Sequence, residues 1–396
     1  MKKVELMRLI KTYEDYLLEI RRKIHQNPGV RFSKEEDATI LMIQEEIYKF
    51  INNGDPFTIH EYADFGGYYI DIKFNPKFKW LLFRADIDAL AVEEETGLTF
   101  SSTTPGVSHA CGHDTHVAML LTAMRIMVEN PGLPKYNIRF VFQRAEENPI
   151  DGKSGGKMLV ETGVCNGMSE AHALHIWTGD PKNNVFLSRP GKFMANSGRL
   201  KISVTTSGGH VAKPSYGINA IRVGMAIIDE IDLIAQEFSP SDNLSLEPTI
   251  FQAGKETNVI PQQAELWTGL RNHMSSDELK NLCEHLNSSL QDVAKRHNAQ
   301  VIVEPIQGHP ALFNNEAVYQ KTAKILQRAG EKTDLAEIQQ GGEDFSRYLA
   351  EVPGDMWLLG AWQENSGNHH SPKFNPDESV MVKGALFWLL LASKKH

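Results

Sequence analysis

The sequence predicts an α/β protein with a mostly parallel sheet, interrupted by an inserted α+β domain. Three observations predict this arrangement. The chain has 396 residues, which exceeds the ~250–300 residues beyond which a single core usually divides. Its first and last parts alternate strand-like apolar runs with helical patterns, as parallel sheets do. Its middle part has the order β-α-β-β-α-β, which is typical of an antiparallel, ferredoxin-like sheet with two helices on one face.

In the first part of the chain, predicted strands and helices alternate. The N-terminal segment mixes charged and apolar residues in the pattern of an amphipathic helix. Apolar runs predict strands at 68–74, 80–84, 138–143 and 171–176. Helical periodicity predicts helices at 115–128 and 155–162. Since ligands bind beyond the carboxyl ends of parallel strands, we expect the functional residues there.

The pattern changes near Gly191 and returns after Gln307. The middle part is predicted to contain strands at 199–206, 248–253, 264–271 and 300–305 and helices at 219–238 and 276–297. The last part is predicted to contain a helix at 316–329, a strand at 356–361 and a helix at 380–391. We therefore expect a main domain formed by residues 1–190 and 308–396, with residues 191–307 inserted as a second domain.

The composition excludes several classes of protein. The formal net charge is -9 and the 41 Lys and Arg residues are dispersed, which argues against a nucleic-acid-binding surface. The most apolar run, 385–392, is far shorter than the ~20 residues that span a bilayer. Only three cysteines occur, so no disulfide framework is expected. We expect a cytoplasmic protein that acts on a small molecule or peptide, without nucleic-acid or membrane partners.

Residues 108–116 form the stretch with the most chemistry, because they hold Cys111, His113 and Asp114. Thiolate sulfur and imidazole nitrogen are the usual zinc ligands, and here they lie two residues apart. The alternative is a structural cysteine beside an aspartate that caps a helix. Taken alone, such a pair is more often structural.

Two carboxylate pairs follow predicted strands. Asp86 and Asp88 lie one residue apart where a strand ends, so that they point to the same side and could orient a metal-binding imidazole. Glu146 and Glu147 follow the strand at 138–143. Neighbouring residues face opposite ways, so one carboxylate could bind a metal while the other contacts a water molecule. The alternatives are a turn or a helix N-cap for the first pair and an exposed acidic turn for the second.

Histidines complete the candidate site. His175 lies in a strand too apolar for an unpartnered imidazole, and His369 and His370 form a pair near the end of the chain. For His175 the structural alternative is a core histidine with satisfied hydrogen bonds. Taken together, however, a thiol, several imidazoles and a carboxylate at strand ends of one α/β domain predict a metal site.

These motifs resemble those of the aminoacylase and glutamate-carboxypeptidase family of metallopeptidases, and most closely its branch of N-acyl-amino-acid amidohydrolases. That branch includes hippurate hydrolases, auxin-conjugate hydrolases, N-acetyldiaminopimelate deacetylases and some carboxypeptidases. The matching segments run in family order along nearly the whole chain: Arg22-x-x-His25-x-x-Pro28, Arg84-Ala85-Asp86-Ile87-Asp88, His109-Ala110-Cys111-Gly112-His113-Asp114, Ala145-Glu146-Glu147, Leu174-His175-Ile176-Trp177, Gly208-Gly209-His210, Asn258-Val259-Ile260-Pro261, Gly342-Glu343-Asp344-Phe345 and His370-Ser371-Pro372.

The resemblance implies a catalytic domain with two divalent metal ions. Zinc suits the donors best, with manganese, cobalt or nickel as alternatives. The implied ligands are Cys111, His113, Glu147, His175 and His370. His370 is preferred to His369 because it has the family spacing to Pro372. Glu146 is implied as the general base that takes a proton from the attacking water and delivers it to the leaving amine.

The resemblance also implies roles for residues that do not bind metal. Asp88 is counted with the catalytic residues, while Asp86 and Asp114 are expected to support the ligands. In the inserted domain, His210 is expected to steady the oxyanion in the active site of a partner subunit. Asn258 and Arg271 are expected to bind the carboxylate of the substrate. The inserted domain would thus serve dimerisation and closure of the site; a tetramer is an alternative.

Three departures from the family pattern leave the substrate open. Arg144 replaces the proline usual before Ala145, residues 148–154 lengthen a loop, and Ser215 stands where the branch often has histidine. The substrate could be an N-acyl amino acid or a C-terminal peptide bond. Two other hypotheses are a catalytically inactive metal-binding module, against which Glu146 argues, and a metal-independent hydrolase with Cys111 as nucleophile.

Overall fold

A computed structural model describes residues 3–51, 55–64, 66–147, 152–179, 182–238 and 243–394. The chain divides into two compact units. The first unit comprises Met1–Phe193, Phe313–Glu337 and Asp344–His396, and the second comprises Met194–Leu312 and Ile338–Glu343. The predicted domain boundaries, 1–190, 191–307 and 308–396, stay a prediction, because compactness alone does not show that a unit folds independently.

The helices and strands follow one another as in a typical α/β protein with an insertion. The helices are α1 (Lys3–Lys11), α2 (Glu14–Gln26), α3 (Lys34–Tyr48), α4 (His113–Glu129), α5 (Gly155–Glu161), α6 (Ala220–Glu237), α7 (Ser276–Arg296), α8 (Glu316–Arg328), α9 (Ser346–Glu351) and α10 (Met381–Ser393). The strands are β1 (Thr58–Asp64), β2 (Gly67–Lys73), β3 (Trp80–Asp86), β4 (Asn137–Gln143), β5 (Glu170–Trp177), β6 (Asn183–Ser188), β7 (Gly191–Met194), β8 (Asn196–Thr205), β9 (Gly209–His210), β10 (Ser245–Ala253), β11 (Val259–Ile260), β12 (Gln263–Asn272), β13 (Gln300–Ile306), β14 (Leu312–Asn314), β15 (Thr333–Leu335) and β16 (Gly354–Ala361).

The first unit contains an eight-stranded sheet in the order β1-β2-β4-β3-β5-β16-β6-β15. The four central strands, β4, β3, β5 and β16, are parallel to one another. Strands β1 and β2 extend the sheet in antiparallel orientation at one edge. The predicted α/β class with a mostly parallel sheet is confirmed. Strands β3, β4 and β5 are parallel neighbours. Their carboxyl ends, at Asp86, Gln143 and Trp177, therefore lie along the same edge of the sheet, which runs across the strands.

Helix α4 packs against this sheet and brings its first residues close to β5. It is apolar on nearly all sides, and its residues are buried from His113 to Met124, as expected for a helix inside a core. Gly112, just before it, has φ 86°. A Cβ at Gly112 would lie 2.4 Å from Ile176 Cγ2, so only glycine allows this approach. Cys111 and His113 therefore begin α4 next to His175.

The second unit contains a four-stranded antiparallel sheet in the order β10-β12-β8-β13. Helices α6 and α7 cover one face, and the predicted β-α-β-β-α-β order is observed. Residues of β8 alternate between buried and more exposed, because one face of the sheet packs on the helices. Helix α7 begins with a capping box between Ser275 and Glu278, which stabilises its start.

Within the described ranges, the helices are too short or too polar to cross a lipid bilayer.

Candidate metal centre

The predicted ligands of the first unit meet at the edge of the sheet where β3, β4 and β5 end. Donor atoms of Cys111, His113 and His175 all lie within 4.8 Å of one another. The same holds for Cys111, Glu147 and His370. The five residues therefore form two overlapping groups that share Cys111. Cys111 Sγ lies 3.5 Å from His175 Nε2, and His370 Nε2 lies 3.2 Å from Glu147 Oε1.

Two of the imidazoles, those of His113 and His175, each have one ring nitrogen that a metal could bind. His113 Nδ1 lies 3.2 Å from Asp88 Oδ1, and His113 Nε2 is buried without a hydrogen-bond partner among the described residues. His175 Nδ1 lies 2.5 Å from the carbonyl oxygen of Ile176, and its Nε2 faces Cys111. When one ring nitrogen donates to an oxygen in this way, the other carries the lone pair that a metal binds.

The negative charges of the carboxylates around the cluster also favour the binding of a cation. Burial lowers the pKa of His113, but Asp86, Asp88 and Glu147 outweigh it and raise the pKa to about 10. Burial and the carboxylates Glu147 and Glu146 raise the pKa of Cys111 well above its usual value. A thiol in such surroundings becomes a thiolate when a metal ion compensates the negative charge. The donor set of one thiol, three imidazoles and a carboxylate fits zinc.

Asp88 connects two of the predicted ligands. Its Oδ2 accepts a hydrogen bond from the backbone N–H of Glu147 at 2.9 Å, and its Oδ1 is the partner of His113. Asp88 is 1% exposed, so both contacts are shielded from water. Asp88 thus orients an imidazole and fixes the backbone beside Glu146.

Asp86 supports the cluster through a histidine that the sequence interpretation did not include, His116. His116 Nε2 accepts a hydrogen bond from the backbone N–H of Ile176 at 2.8 Å. Its Nδ1 therefore carries the proton and donates to Asp86 Oδ1 at 2.5 Å. The spacing His113-x-x-His116 could have revealed it, because residues three apart share one face of a helix.

A buried polar network behind Asp86 was also missed. Arg84 donates to Asp86 Oδ2 at 2.7 Å and to Asp344 Oδ1 at 2.8 Å. Gln143 Nε2 donates to Asp344 as well, and Asp344 Oδ2 accepts from the N–H of Gly156. Every carboxylate in this network has a charged or amide partner, as buried carboxylates need.

Asp114 lies at the start of α4 but contacts another helix. Its Oδ2 accepts from Arg21 Nε at 2.9 Å and lies 2.8 Å from His25 Nδ1. Burial opposes ionisation of Asp114, but Arg21 and His25 outweigh it and hold its pKa far below the usual range. These contacts tie α4 to α2 through the motif residue His25 and through Arg21, which lies just before the motif.

The two consecutive histidines have different surroundings. His369 is partly buried, accepts a hydrogen bond from the N–H of Thr178 at 3.1 Å and packs against Trp177. His370 has φ 65° and donates its backbone N–H to the carbonyl of Ala110 at 2.8 Å. That backbone geometry directs its ring to Glu147, which supports the choice of His370 as the ligand.

The other predicted site residues lie in the second unit. His210 is exposed on β9 and pairs with Val259 of β11. Asn258 is exposed, and its carbonyl accepts from the N–H of Val211. Arg271 on β12 is partly buried, which lowers its pKa. Ser215 lies in an exposed turn of 3-10 helix at Pro214–Tyr216. Of the lengthened loop at 148–154, residues 148–151 lie outside the described residues.

The sheet edge, with its thiol, imidazole and paired carboxylate groups, has the form of a metal-dependent hydrolase site. The sequence model of peptidase family M20/M25/M40 matches residues 82–394, and the chain belongs to this family.

Relatives support this along the whole chain. It is 34% identical to thermostable carboxypeptidase 2 of Saccharolobus solfataricus, over 97% of this chain and 96% of that protein. It is 28% identical to N-acetylcysteine deacetylase of Bacillus subtilis, over 96% of this chain and 97% of that protein.

Solved structures agree with the fold. One from methicillin-resistant Staphylococcus aureus superimposes with a TM-score of 0.90 at 27% identity, covering 99% of this chain and 100% of that one. The Bacillus subtilis YXEP protein, a dinuclear metal-binding peptidase of the M20 family, gives 0.82 at 27% identity, covering 97% and 98%. The predicted family, fold class and class of enzyme, a hydrolase of amide or peptide bonds, are confirmed.

Proposed function

We propose that this chain is a metal-dependent amidohydrolase that cleaves the amide bond of an N-acyl amino acid or a C-terminal peptide bond, with Glu146 as general base. The observation that carries the proposal is the position of Glu146. Its carboxylate, His113 and Glu147 offer donor atoms that lie within 4.8 Å of one another, and Glu146 is only 6% exposed. A carboxylate beside predicted metal ligands is well placed to accept a proton from water.

Two divalent ions would be held by Cys111, His113, Glu147, His175 and His370. When bound, the ions polarise the scissile carbonyl and lower the pKa of water. We infer zinc from the thiol and imidazole donors, with manganese, cobalt or nickel as alternatives.

Residues of the chain transfer the proton and orient the proposed metal ligands. Glu146 accepts a proton from the attacking water and gives it to the nitrogen of the leaving amine, so that one carboxylate serves both steps. Asp88 keeps His113 in the tautomer whose Nε2 faces the site and holds the backbone of Glu147. The burial of Glu146 and Glu147 excludes bulk water and strengthens these interactions.

The names of the relatives support the class of substrate. They include carboxypeptidases, N-acetylcysteine deacetylase, N-acetyldiaminopimelate deacetylase and IAA-amino acid hydrolases. Each name fits cleavage of an amide or peptide bond whose nitrogen belongs to an amino acid. For this chain we propose that Asn258 and Arg271 bind the carboxylate of that amino acid, because a guanidinium forms paired hydrogen bonds with a carboxylate.

The test is an assay of N-acetyl, N-benzoyl and carbobenzoxy amino acids and of dipeptides, before and after chelation and after adding back zinc, manganese or cobalt. We expect chelation to abolish hydrolysis and one metal to restore it, and the preferred acyl group will define the substrate. Hydrolysis that survives chelation but not alkylation of Cys111 would support the cysteine nucleophile instead. Binding of metal without turnover of any substrate would support the inactive module.

We also propose that the enzyme is a homodimer, with a tetramer as the alternative, and that His210 acts in the site of the partner. Two inactive variants, His210→Ala and Glu146→Gln, test this when mixed and allowed to exchange subunits. A mixed dimer would hold one complete site, so activity should return to about a quarter of that of the parent in an equimolar mixture. No recovery despite proven exchange would refute a role in trans.

A cytoplasmic location is proposed from the cysteines. Cys111, Cys165 and Cys283 are all free thiols, as in proteins of reducing compartments. Recovery of the protein in an oxidising compartment upon cell fractionation would contradict this.

A further inference from the structure

Residues 144–147, which we call the catalytic turn, have an unusual backbone. Ala145 has φ 50°, a left-handed conformation that non-glycine residues rarely adopt without support from their surroundings. The turn also packs tightly against Gly155, where a Cβ would lie 1.8 Å from the carbonyl oxygen of Arg144. The direction of the Glu146 side chain depends on how this turn is held.

Glu36 of helix α3 holds the turn through its carboxylate. Its Oε1 accepts a hydrogen bond from the backbone N–H of Ala145 at 2.8 Å. Its Oε2 accepts from Arg144 Nε at 2.8 Å and from the N–H of Phe32 at 2.5 Å. Glu36 is 0% exposed, so no solvent competes for these bonds.

Arg144 in turn fixes Glu36 and the start of α3. Besides Glu36 it contacts Asp37, with Nη1 2.8 Å from Oδ1. Its backbone N–H donates to the carbonyl of Gly66 at 3.0 Å. The departure from the family pattern at this position therefore builds an ion pair from the catalytic turn to a helix 108 residues earlier in the chain.

Two carboxylates thus hold backbone N–H groups on either side of Glu146. Glu36 holds that of Ala145, and Asp88 holds that of Glu147. We propose that Glu36, oriented by Arg144, is a positioning residue that fixes the catalytic turn and thereby the carboxylate of Glu146. This inference rests on the proposed function of Glu146 as general base.

The contacts of Glu36, rather than its charge, explain its place beside the turn. Burial and the charge of Asp88 raise its pKa to about 7, although Arg144 opposes this. The charge of the carboxylate is therefore unfavourable at this place, but its two oxygens accept from three donors, which the single acceptor of a glutamine amide could not do. Glu46 on the same helix offers the contrast. Lys49 and Lys23 outweigh its burial and lower its pKa, so its charge favours the folded state.

The test compares Glu36→Gln with Glu46→Gln as the matched control, both prepared with the same metal content. We expect Glu36→Gln to lower kcat about 10- to 100-fold with little change in KM, since small displacements of reacting groups have effects of this size. We expect Glu46→Gln, which changes contacts with Lys23 and Lys49 only, to keep kcat within about twofold. A kcat of Glu36→Gln within twofold of the parent, or equal losses in both variants, would overturn the proposal.

Amide hydrogen exchange gives a readout that does not depend on turnover. Peptides containing Ala145 should exchange faster in Glu36→Gln than in the parent and in Glu46→Gln. Unchanged exchange refutes the inference even if the protein cleaves no substrate, whereas absence of metal-dependent cleavage by the parent refutes the proposed function. If Glu36→Gln does not fold, Arg144→Lys replaces it; that variant keeps the charge but loses the planar fork, and should show the same changes to a smaller extent.

Discussion

Asp88 and Glu147 are joined by a hydrogen bond of 2.9 Å from the backbone N–H of Glu147 to Asp88 Oδ2. The other oxygen of Asp88 lies 3.2 Å from His113 Nδ1. One carboxylate therefore sets the position of a carboxylate and of an imidazole that we assign as ligands. Partners of this kind orient metal ligands and increase metal affinity.

Asp88→Asn should weaken metal binding about 10- to 100-fold, as loss of such a partner does. The amide removes the negative charge and leaves one acceptor for two donors. Titration of the apo-protein with zinc, followed by calorimetry, measures the affinity. Glu46→Gln controls for loss of a buried carboxylate elsewhere. Unchanged zinc affinity in a folded Asp88→Asn would show that these contacts do not support the ligands.

Substitutions of the proposed ligands should distinguish the two metal-binding positions. Cys111 belongs to both donor groups, whereas His370 belongs to one. We therefore expect Cys111→Ser to weaken both metals and His370→Ala to remove about one ion per chain. Elemental analysis after gel filtration measures the content, with Cys165→Ser as the control thiol. Two retained ions in His370→Ala would contradict its assignment as a ligand.

The ion pair of Asp71 and Arg139 should be important for stability. Both residues are buried, and two parallel hydrogen bonds of 2.6 Å connect them. Arg139→Met leaves the Asp71 charge without its partner and should lower the free energy of unfolding by about 3–5 kcal/mol. The double variant Asp71→Leu/Arg139→Met should recover much of this loss. Denaturant unfolding followed by circular dichroism measures the free energy of unfolding of each variant. An Arg139→Met variant as stable as the parent would contradict the importance of this ion pair for stability.

Stability should fall at alkaline pH because of His172. Burial disfavours its charged form, but Asp355, 2.6 Å from His172 Nδ1, and Glu170 outweigh this and raise its pKa to about 9. A raised pKa stabilises the fold fully below the unfolded value of about 6.5, and this contribution is lost as the pH rises through about 9. Thermal unfolding from pH 6 to 10 should show this decline. In His172→Gln, which cannot titrate, the decline should be smaller; equal slopes would contradict the assignment.

Local motifs and periodicity sufficed to predict the central strands, the main helices and the cluster of candidate ligands. Cys111 and His113 are close in sequence, and the carboxyl ends of β3, β4 and β5 are brought together by the rules of parallel sheets. Strand β6 and the short edge strand β15 beside it were not predicted, because runs of this length carry little periodicity.

The supporting contacts could not be predicted, since they join distant segments. Arg84 and Asp344 are 260 residues apart in sequence, and Glu36 and Ala145 are 109 apart. Neither pair has a local pattern that marks its partner. Their contacts follow from the packing of helices and loops around the sheet, which a single sequence does not specify.

The most direct test of the proposed function is the kcat of Glu146→Gln at the same metal content as the parent. Glutamine keeps the shape of the side chain but cannot accept the proton, so kcat should fall about 10²- to 10⁴-fold while both ions stay bound and the melting temperature stays close to that of the parent. A metal-loaded Glu146→Gln that hydrolyses the preferred substrate at nearly the rate of the parent would show that Glu146 is not the general base.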